Sequence, residues 1–370
     1  MNKKHKAILW HVVRFLVMAG LVAYVVRQVE WSDTDGGRVA GIRTIALRLA
    51  EHWEFVLAAF GVMLLQSPLG AVRWRLLLRV QGIHITFLES LRLTYIGWFF
   101  NTWMPGATGG DFIKAYYIAK QTHRKPEAVT VVFLDRVIGL VSLAMLGAIA
   151  VLISAGDERL RVAQTIVVSF LVLAILGSGL FYSRRMRRLV RLDRLLSRLP
   201  PRHIVERADR ALFIYRHHKA AVATAVLYSW GAQAVSVLAI WWLATGLGSR
   251  AAWYHFLLNM PVVWIGWSLI PVPGGFGVAE GLAQHLFGPS VLGVAAGPHA
   301  AAEAATLALA MILALRLVQG VVSLPGAVFY LARRTAVSPR EMRVEMQSTD
   351  LVAESERRRP DASGDRSDLG

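Results

Sequence analysis

Six ionisable residues stand in or beside long apolar stretches: Asp111, Asp135, Arg136, Glu280, Glu303 and Arg316. A charge within a bilayer is costly, so such residues are usually paired or functional. Two of the acids follow glycine breaks. Pro105-Gly106 leads to Gly109-Gly110 and then Asp111, and Pro271 and Pro273 lead to Gly274-Gly275 and then Glu280. Glycine lets a second chain approach the backbone closely. A helix starting after the break aims partial positive charge at it, which suits a phosphate group. The acids could balance an arginine or lysine, coordinate a cation, or bind a proton that drives transport. For Asp111 the plainer alternative is a cap on a helix over Phe112–Ala119. For Asp135 and Arg136 it is a structural role with partners on other helices. Lys114 and Arg316 are the candidates for a lipid phosphate. Asn101 either satisfies freed backbone groups or touches the headgroup.

The elements that must hold these residues are read from charge-free runs. The chain has 370 residues, 55% of them hydrophobic and 18% charged, with a mean hydropathy of +0.47. An ordinary soluble domain carries about 25% charged residues. Val137–Gly156, Val162–Ser183 and Ala220–Ser249 hold no charged residue at all, and about 20 apolar residues suffice to cross a bilayer. Six spans are expected: Ile8–Val26, Trp53–Leu78, Ala128–Ser154, Val162–Ser183, Ala220–Leu247 and Ala304–Leu331. The first is an uncleaved anchor, since Arg27-Gln28-Val29-Glu30 follows it in place of a small-x-small cleavage site.

The net charge of +17 suits cytoplasmic loops and anionic lipid surfaces. No nucleic-acid module accompanies it. Lys3, Lys4 and Lys6, then Arg73, Arg75 and Arg79, then Lys120, Arg124 and Lys125, the run 184–219, and Arg333-Arg334 all fall on one side if both termini are cytoplasmic. Arg38, Arg43 and Arg48 fall on the other. The 184–219 segment is either a helix in the headgroup layer, with Leu189, Leu192, Leu195, Leu196 and Leu199 on its apolar face, or a solvated basic loop. From 333 the tail is expected to be disordered. With no cysteine, disulfides and thiolate metal sites are excluded. His217-His218 would point to different faces of a helix, and no metal site or cofactor motif is found.

Two apolar regions fit no simple span. Residues 87–120 have basic flanks at both ends and so enter and leave on one side. Residues 253–287 enter and leave on the other. Three spans separate them, so they form oppositely oriented re-entrant hairpins, as an inverted repeat gives. Broken helix at that depth must be buried in protein or line a cavity. The expected fold class is therefore all-α: a polytopic membrane protein of about six spans plus two hairpins, occupying 1–332.

The run Asn101-x-x-x-Pro105-Gly106-x-x-Gly109-Gly110-Asp111-x-x-Lys114 resembles the signature of the flippase-like membrane family that includes the transmembrane region of lysylphosphatidylglycerol synthases. Pro271-x-Pro273-Gly274-Gly275-x-Gly277-Val278-x-Glu280 resembles its second signature. Asp135-Arg136 with Gly139-Leu140, and Arg316, stand where that family has polar residues. Lys114 stands where arginine is commoner there. The resemblance covers about residues 5–332, and no soluble aminoacyl-transferase domain follows, so lipid aminoacylation by this chain alone is not expected. What the resemblance implies is translocation of a phospholipid or glycolipid across the inner (plasma) membrane, with Asn101, Gly109, Gly110, Asp111, Lys114, Asp135, Arg136, Gly274, Gly275, Glu280 and Arg316 at the headgroup site. That reading expects Asp111, Glu280 and Lys114 to face one another in a polar cavity. The alternative is a non-transporting partner of a lipid-modifying enzyme, with the same residues paired and dry. An intramembrane enzyme would need a nucleophile or metal set, and none is visible in the sequence.

Overall fold

In a computed structural model the described residues are 42–103, 109–122, 125–182, 214–215, 217–269 and 276–332, with isolated positions 20, 23 and 27. Nearly all of the first expected span, most of the basic segment 184–219, Gly274 and Gly275, and the tail 333–370 lie outside them. Every regular element among the described residues is helical.

Four helical stretches are long and apolar enough to cross a bilayer: Trp53–Val80, Glu127–Ile153, Lys219–Gly246 and Ala300–Leu331. A fifth helix, Arg161–Tyr182, has 22 residues with its only charge at the first position. Leu57, Leu152, Leu173 and Leu317 are exposed on these helices. Such apolar surface would be a liability in water and is the natural contact with lipid.

Two of the expected spans are broken rather than continuous. The first consists of α2, Trp53–Met63, and α3, Gln66–Val80, and a separate helix α1, Ile42–Glu51, precedes it. The α2–α3 break falls at Leu64-Leu65 because Pro68 has no N–H for the Leu64 carbonyl. The Leu65 N–H turns back to the Val62 carbonyl at 3.0 Å. The sequence reading missed α1, where Arg43 and Arg48 obscure an apolar stripe of Ile42, Ile45 and Leu49. Ile45 is buried, and the other two pack against the core.

Next come α4, Phe87–Trp103, and α5, Gly109–Thr122, followed by the long α6, Lys125–Ile153, and α7, Arg161–Tyr182. The second half contains α8, Lys219–Gly246, then α9, Trp253–Leu269, and α10, Val278–Leu286. After the short α11, Pro289–Leu292, come α12, Ala300–Ser323, and α13, Pro325–Leu331. The α12–α13 break precedes Pro325, by the same missing donor.

The two halves repeat one order of elements. A 28-residue stretch (α2–α3, then α8) is followed by a helical hairpin (α4–α5, then α9–α10) and a long helix (α6, then α12). The packing repeats too. Within each hairpin the two helices touch, and the second helix of each packs on its own long helix. The first helix of each hairpin packs on the long helix of the opposite half: α4 on α12, and α9 on α6. At the centre α8 lies along both α2 and α3.

The loop between α6 and α7 is tied down by Asp157. Its carboxylate caps a 3-10 turn at Glu158–Leu160 by accepting from the Arg159 backbone N–H at 3.1 Å. It also accepts from the Arg159 side chain, at 2.8 Å to each carboxylate oxygen. The His255 Nε2 is 3.5 Å away. The Arg159 hydrogen bond is the main force holding Asp157 at a pKa of about 2, against an ordinary 3.8. A depressed carboxylate stabilises the fold above its unfolded value and ceases to do so as pH falls through its folded value. The thermal midpoint of the purified protein should therefore drop between about pH 4 and pH 2. Asp157→Asn should lower the midpoint at pH 6 and remove this acid-dependent component.

Candidate functional site

The first hairpin closes on a backbone-to-backbone contact. A Cβ on Gly110 would overlap the carbonyl oxygen of Gly97, so the first turn of α5 lies directly on α4. Helix starts leave N–H groups unsatisfied. Here the Asn101 Oδ1 accepts from the Gly110 N–H at 2.9 Å. Asn101 thus serves the freed backbone, the first of its two expected roles.

Asp111 is the third residue of a helix that begins at Gly109. The simple cap expected on Phe112–Ala119 is therefore not what forms, because the glycines themselves are helical. The carboxylate instead holds two cations. Arg136 on α6 donates Nε to Oδ2 at 2.6 Å, with a second guanidinium nitrogen in contact. The Lys114 Nζ sits 3.1 Å from Oδ1. Lys114 is one helical turn along α5, where side chains three apart are neighbours. Its ammonium also lies 5.2 Å from the ring centre of Trp74, within cation–π range. Asp111 and Lys114 are buried, whereas the Arg136 side chain is 39% exposed.

Asp135 and Arg136 are adjacent yet serve different partners, as neighbours on a helix must. Asp135 takes Arg73 of α3, at 2.8 Å, and Arg73 also donates to the Ser229 Oγ of α8 at 2.9 Å. The charge-bias reading placed Arg73 with the loop arginines. The structure corrects that: its side chain is only 18% exposed. The available signal was Asp135, a carboxylate in mid-span that required a cation. Deleting one member of a buried pair leaves the other uncompensated, at about 3–5 kcal/mol. Asp135→Leu should lower the unfolding midpoint in detergent sharply, and adding Arg73→Met should recover most of it.

The second hairpin holds the counterpart. Gly277, at φ 80°, is the turn before α10, a conformation that favours glycine. Glu280 is again the third residue of the second hairpin helix. Its Oε2 accepts from the Gly277 N–H at 2.8 Å, and its Oε1 from the Arg316 Nε of α12 at 2.8 Å. The Arg316 guanidinium lies 4.8 Å from the ring centre of Trp267 and 4.3 Å from that of Phe276. Trp267 thus stacks on a charge. Trp103 donates to the Ser323 Oγ at 3.2 Å.

Asp111 and Glu280 therefore sit in two matched clusters rather than one, and Asp135 with Arg73 forms a separate pair. Each matched cluster is an acid at the third position of a hairpin helix, bound to an arginine on the following long helix. No hydrogen bond or ion pair among the described residues joins Glu280 to Asp111 or Lys114. Arg73, Trp74, Ser229 and Phe276 are members that the sequence reading missed.

Residues 11–326 match the family described as the lysylphosphatidylglycerol synthase transmembrane region. The chain is also 25% identical over 275 residues to a UPF0104 membrane protein of Pyrococcus horikoshii, an alignment covering 67% of this chain and 81% of that one. The family match spans both hairpins and their charged clusters, and on it this chain belongs to the lysylphosphatidylglycerol synthase transmembrane-region family.

Proposed function

We propose that this protein moves a phosphate-bearing lipid between leaflets, with the hairpin breaks forming the headgroup path. The observation that carries this is the cluster at the first break. One buried carboxylate, Asp111, holds two cations, and one of them, Arg136, reaches an exposed surface. A phosphate can share those cations as Asp111 releases them. The matched Glu280–Arg316 pair supplies the equivalent step in the other half. The hairpin helices have 17, 14, 17 and 9 residues. At 1.5 Å per residue the longest spans about 25 Å, short of a hydrocarbon core of about 30 Å. That length supports re-entrant hairpins, and their opposite orientation follows from the odd number of spans between them. With the basic segments inside, both termini are cytoplasmic and the membrane is the inner (plasma) membrane. We assign no bond-making chemistry to the chain, and no ATP-binding motif is present in the sequence, so transport is passive, ion-coupled or driven by a partner.

A second reading is a non-transporting partner of a lipid-modifying enzyme. It is favoured by the closed pairing of Glu280 with Arg316, whose side chains are 4% and 16% exposed. Purified protein in liposomes carrying fluorescent phospholipids and glycolipids separates the two. Bilayer crossing above that of empty liposomes, reduced at least tenfold by Arg136→Gln and by Glu280→Gln, supports translocation. No crossing with any headgroup moves the reading to the partner, and co-purification of an enzyme then becomes the measurement.

A further inference from the structure

A pocket of about 290 Å³ lies well away from the charged clusters, where α1, the α8–α9 connection, the segment after α11 and the start of α12 meet. Its charged lining is Arg48, Arg250 and Glu303. None of these three side chains has an ion pair or hydrogen bond to any described residue. The clustered charges at the hairpins, and Arg73 with Asp135 on α3 and α6, are paired with one another, whereas this trio is not.

The pocket is built rather than incidental. The Arg250 N–H donates to the Leu292 carbonyl at 3.0 Å, joining two of its walls. Ser249, buried beside it, donates to the same carbonyl at 3.4 Å and accepts from the Ala251 N–H at 3.1 Å. Two glycines in the left-handed region make room for the arginines. A Cβ on Gly248, at φ 99°, would sit 3.3 Å from the Arg48 Nη1. A Cβ on Gly293, at φ 73°, would sit 2.9 Å from the Arg250 Cβ. Ile45 and Leu307 provide apolar wall.

Its depth follows from its neighbours. Glu303 stands 13 residues before Arg316 on one helix, which is about 20 Å of axial rise. Trp53, two residues after α1, and Trp253, three residues after Arg250, are 60% and 49% exposed. Exposed tryptophan at span ends marks the headgroup level. The pocket therefore opens at the membrane surface on the side opposite the basic segments.

We infer that this pocket binds a zwitterionic phosphate headgroup, the phosphate between Arg48 and Arg250 and a primary amine on Glu303. Two guanidinium groups match the geometry of a phosphate, and the lone carboxylate selects for an added cation. The volume, at the low end for ligand sites, fits a headgroup and not an entire lipid. The same chemistry is offered by a phosphatidylethanolamine in the bilayer and by free glycerophosphoethanolamine. This binding does not depend on translocation.

The test is native mass spectrometry of the delipidated protein titrated with phosphatidylethanolamine or phosphatidylglycerol, alongside calorimetry with glycerophosphoethanolamine. Wild type should prefer phosphatidylethanolamine. Arg48→Gln with Arg250→Gln should weaken both lipids at least tenfold. Glu303→Gln should weaken phosphatidylethanolamine alone, and Arg43→Gln, on α1 but off the pocket, should change nothing. Binding of the soluble compound as well shows that the headgroup suffices, and its absence shows that the bilayer is the source. Undiminished phosphatidylethanolamine binding in the double variant overturns the assignment, as does equal loss of both lipids in Glu303→Gln. Independently of any variant, a photoactivatable headgroup should label peptides containing Gly248–Arg250 or Gly293–Ala295, and labelling confined elsewhere also overturns it.

Discussion

Gly110→Ala is expected to disrupt the first hairpin, although alanine is the better helix former. In an exposed helix interior the exchange would gain about 1 kcal/mol. At Gly110 the added carbon would overlap the Gly97 carbonyl, and backbone cannot swing aside as a side chain can. Overpacking typically costs about 1–3 kcal/mol and more where nothing can shift, so against rigid backbone the clash wins. Gly61→Ala is the matched control, since a Cβ there meets nothing within 4 Å. Thermal unfolding in detergent should show a large drop for Gly110→Ala and no loss for Gly61→Ala. Gly97→Ala should be intermediate, because its nearest neighbour is the flexible Lys114 side chain at 2.9 Å. Equal stability of Gly110→Ala and wild type would mean that α4 and α5 do not cross at these glycines.

The second large effect is expected at Asp111. Its removal leaves two cations where one carboxylate had held them. An orphaned charge in a buried pair costs about 3–5 kcal/mol. The two cations are not equal. Arg136 is 39% exposed on its side chain and can turn its guanidinium toward water or headgroups, whereas Lys114 is 11% exposed. Long basic side chains near an interface relieve themselves in this way. Asp111→Ala should therefore be strongly destabilised. Adding Lys114→Met should recover more of the loss than adding Arg136→Met. The reverse order would place the burial of these residues the other way round.

Much of this architecture was legible in the residues. Charge-free runs mark spans because a bilayer penalises each charge, and the Pro-Gly-Gly-acid runs mark helix breaks because glycine and proline interrupt an apolar helix. The polar members at 101, 111, 114, 135, 136, 280 and 316 all enter the observed clusters. What could not be read was partner choice. Arg73 looks like a loop cation in one dimension, and only the approach of α3 to α6 makes it the partner of Asp135. Trp74 and Phe276 look like any aromatic until a charge is laid over them. The helix Ile42–Glu51 was obscured by its two arginines, although Ile42, Ile45 and Leu49 already had helical spacing. The breaks at Leu64-Leu65 and Leu324 were in principle readable, since each stands just before a proline, Pro68 and Pro325, but apolar length masked them.

The exchange of partners between halves bears on the order of synthesis. Helix α4 leaves the ribosome long before α12, the long helix on which it packs. Until α12 arrives, the Trp103 indole lacks Ser323, and the face of α4 that receives Gly326 at the Tyr95 carbonyl is uncovered. The first half must therefore wait in the membrane, held by its own glycine crossing and by the Asp111 ion pairs, until the last helices insert. The same charges assigned to a headgroup thus also act as a temporary clasp during biogenesis.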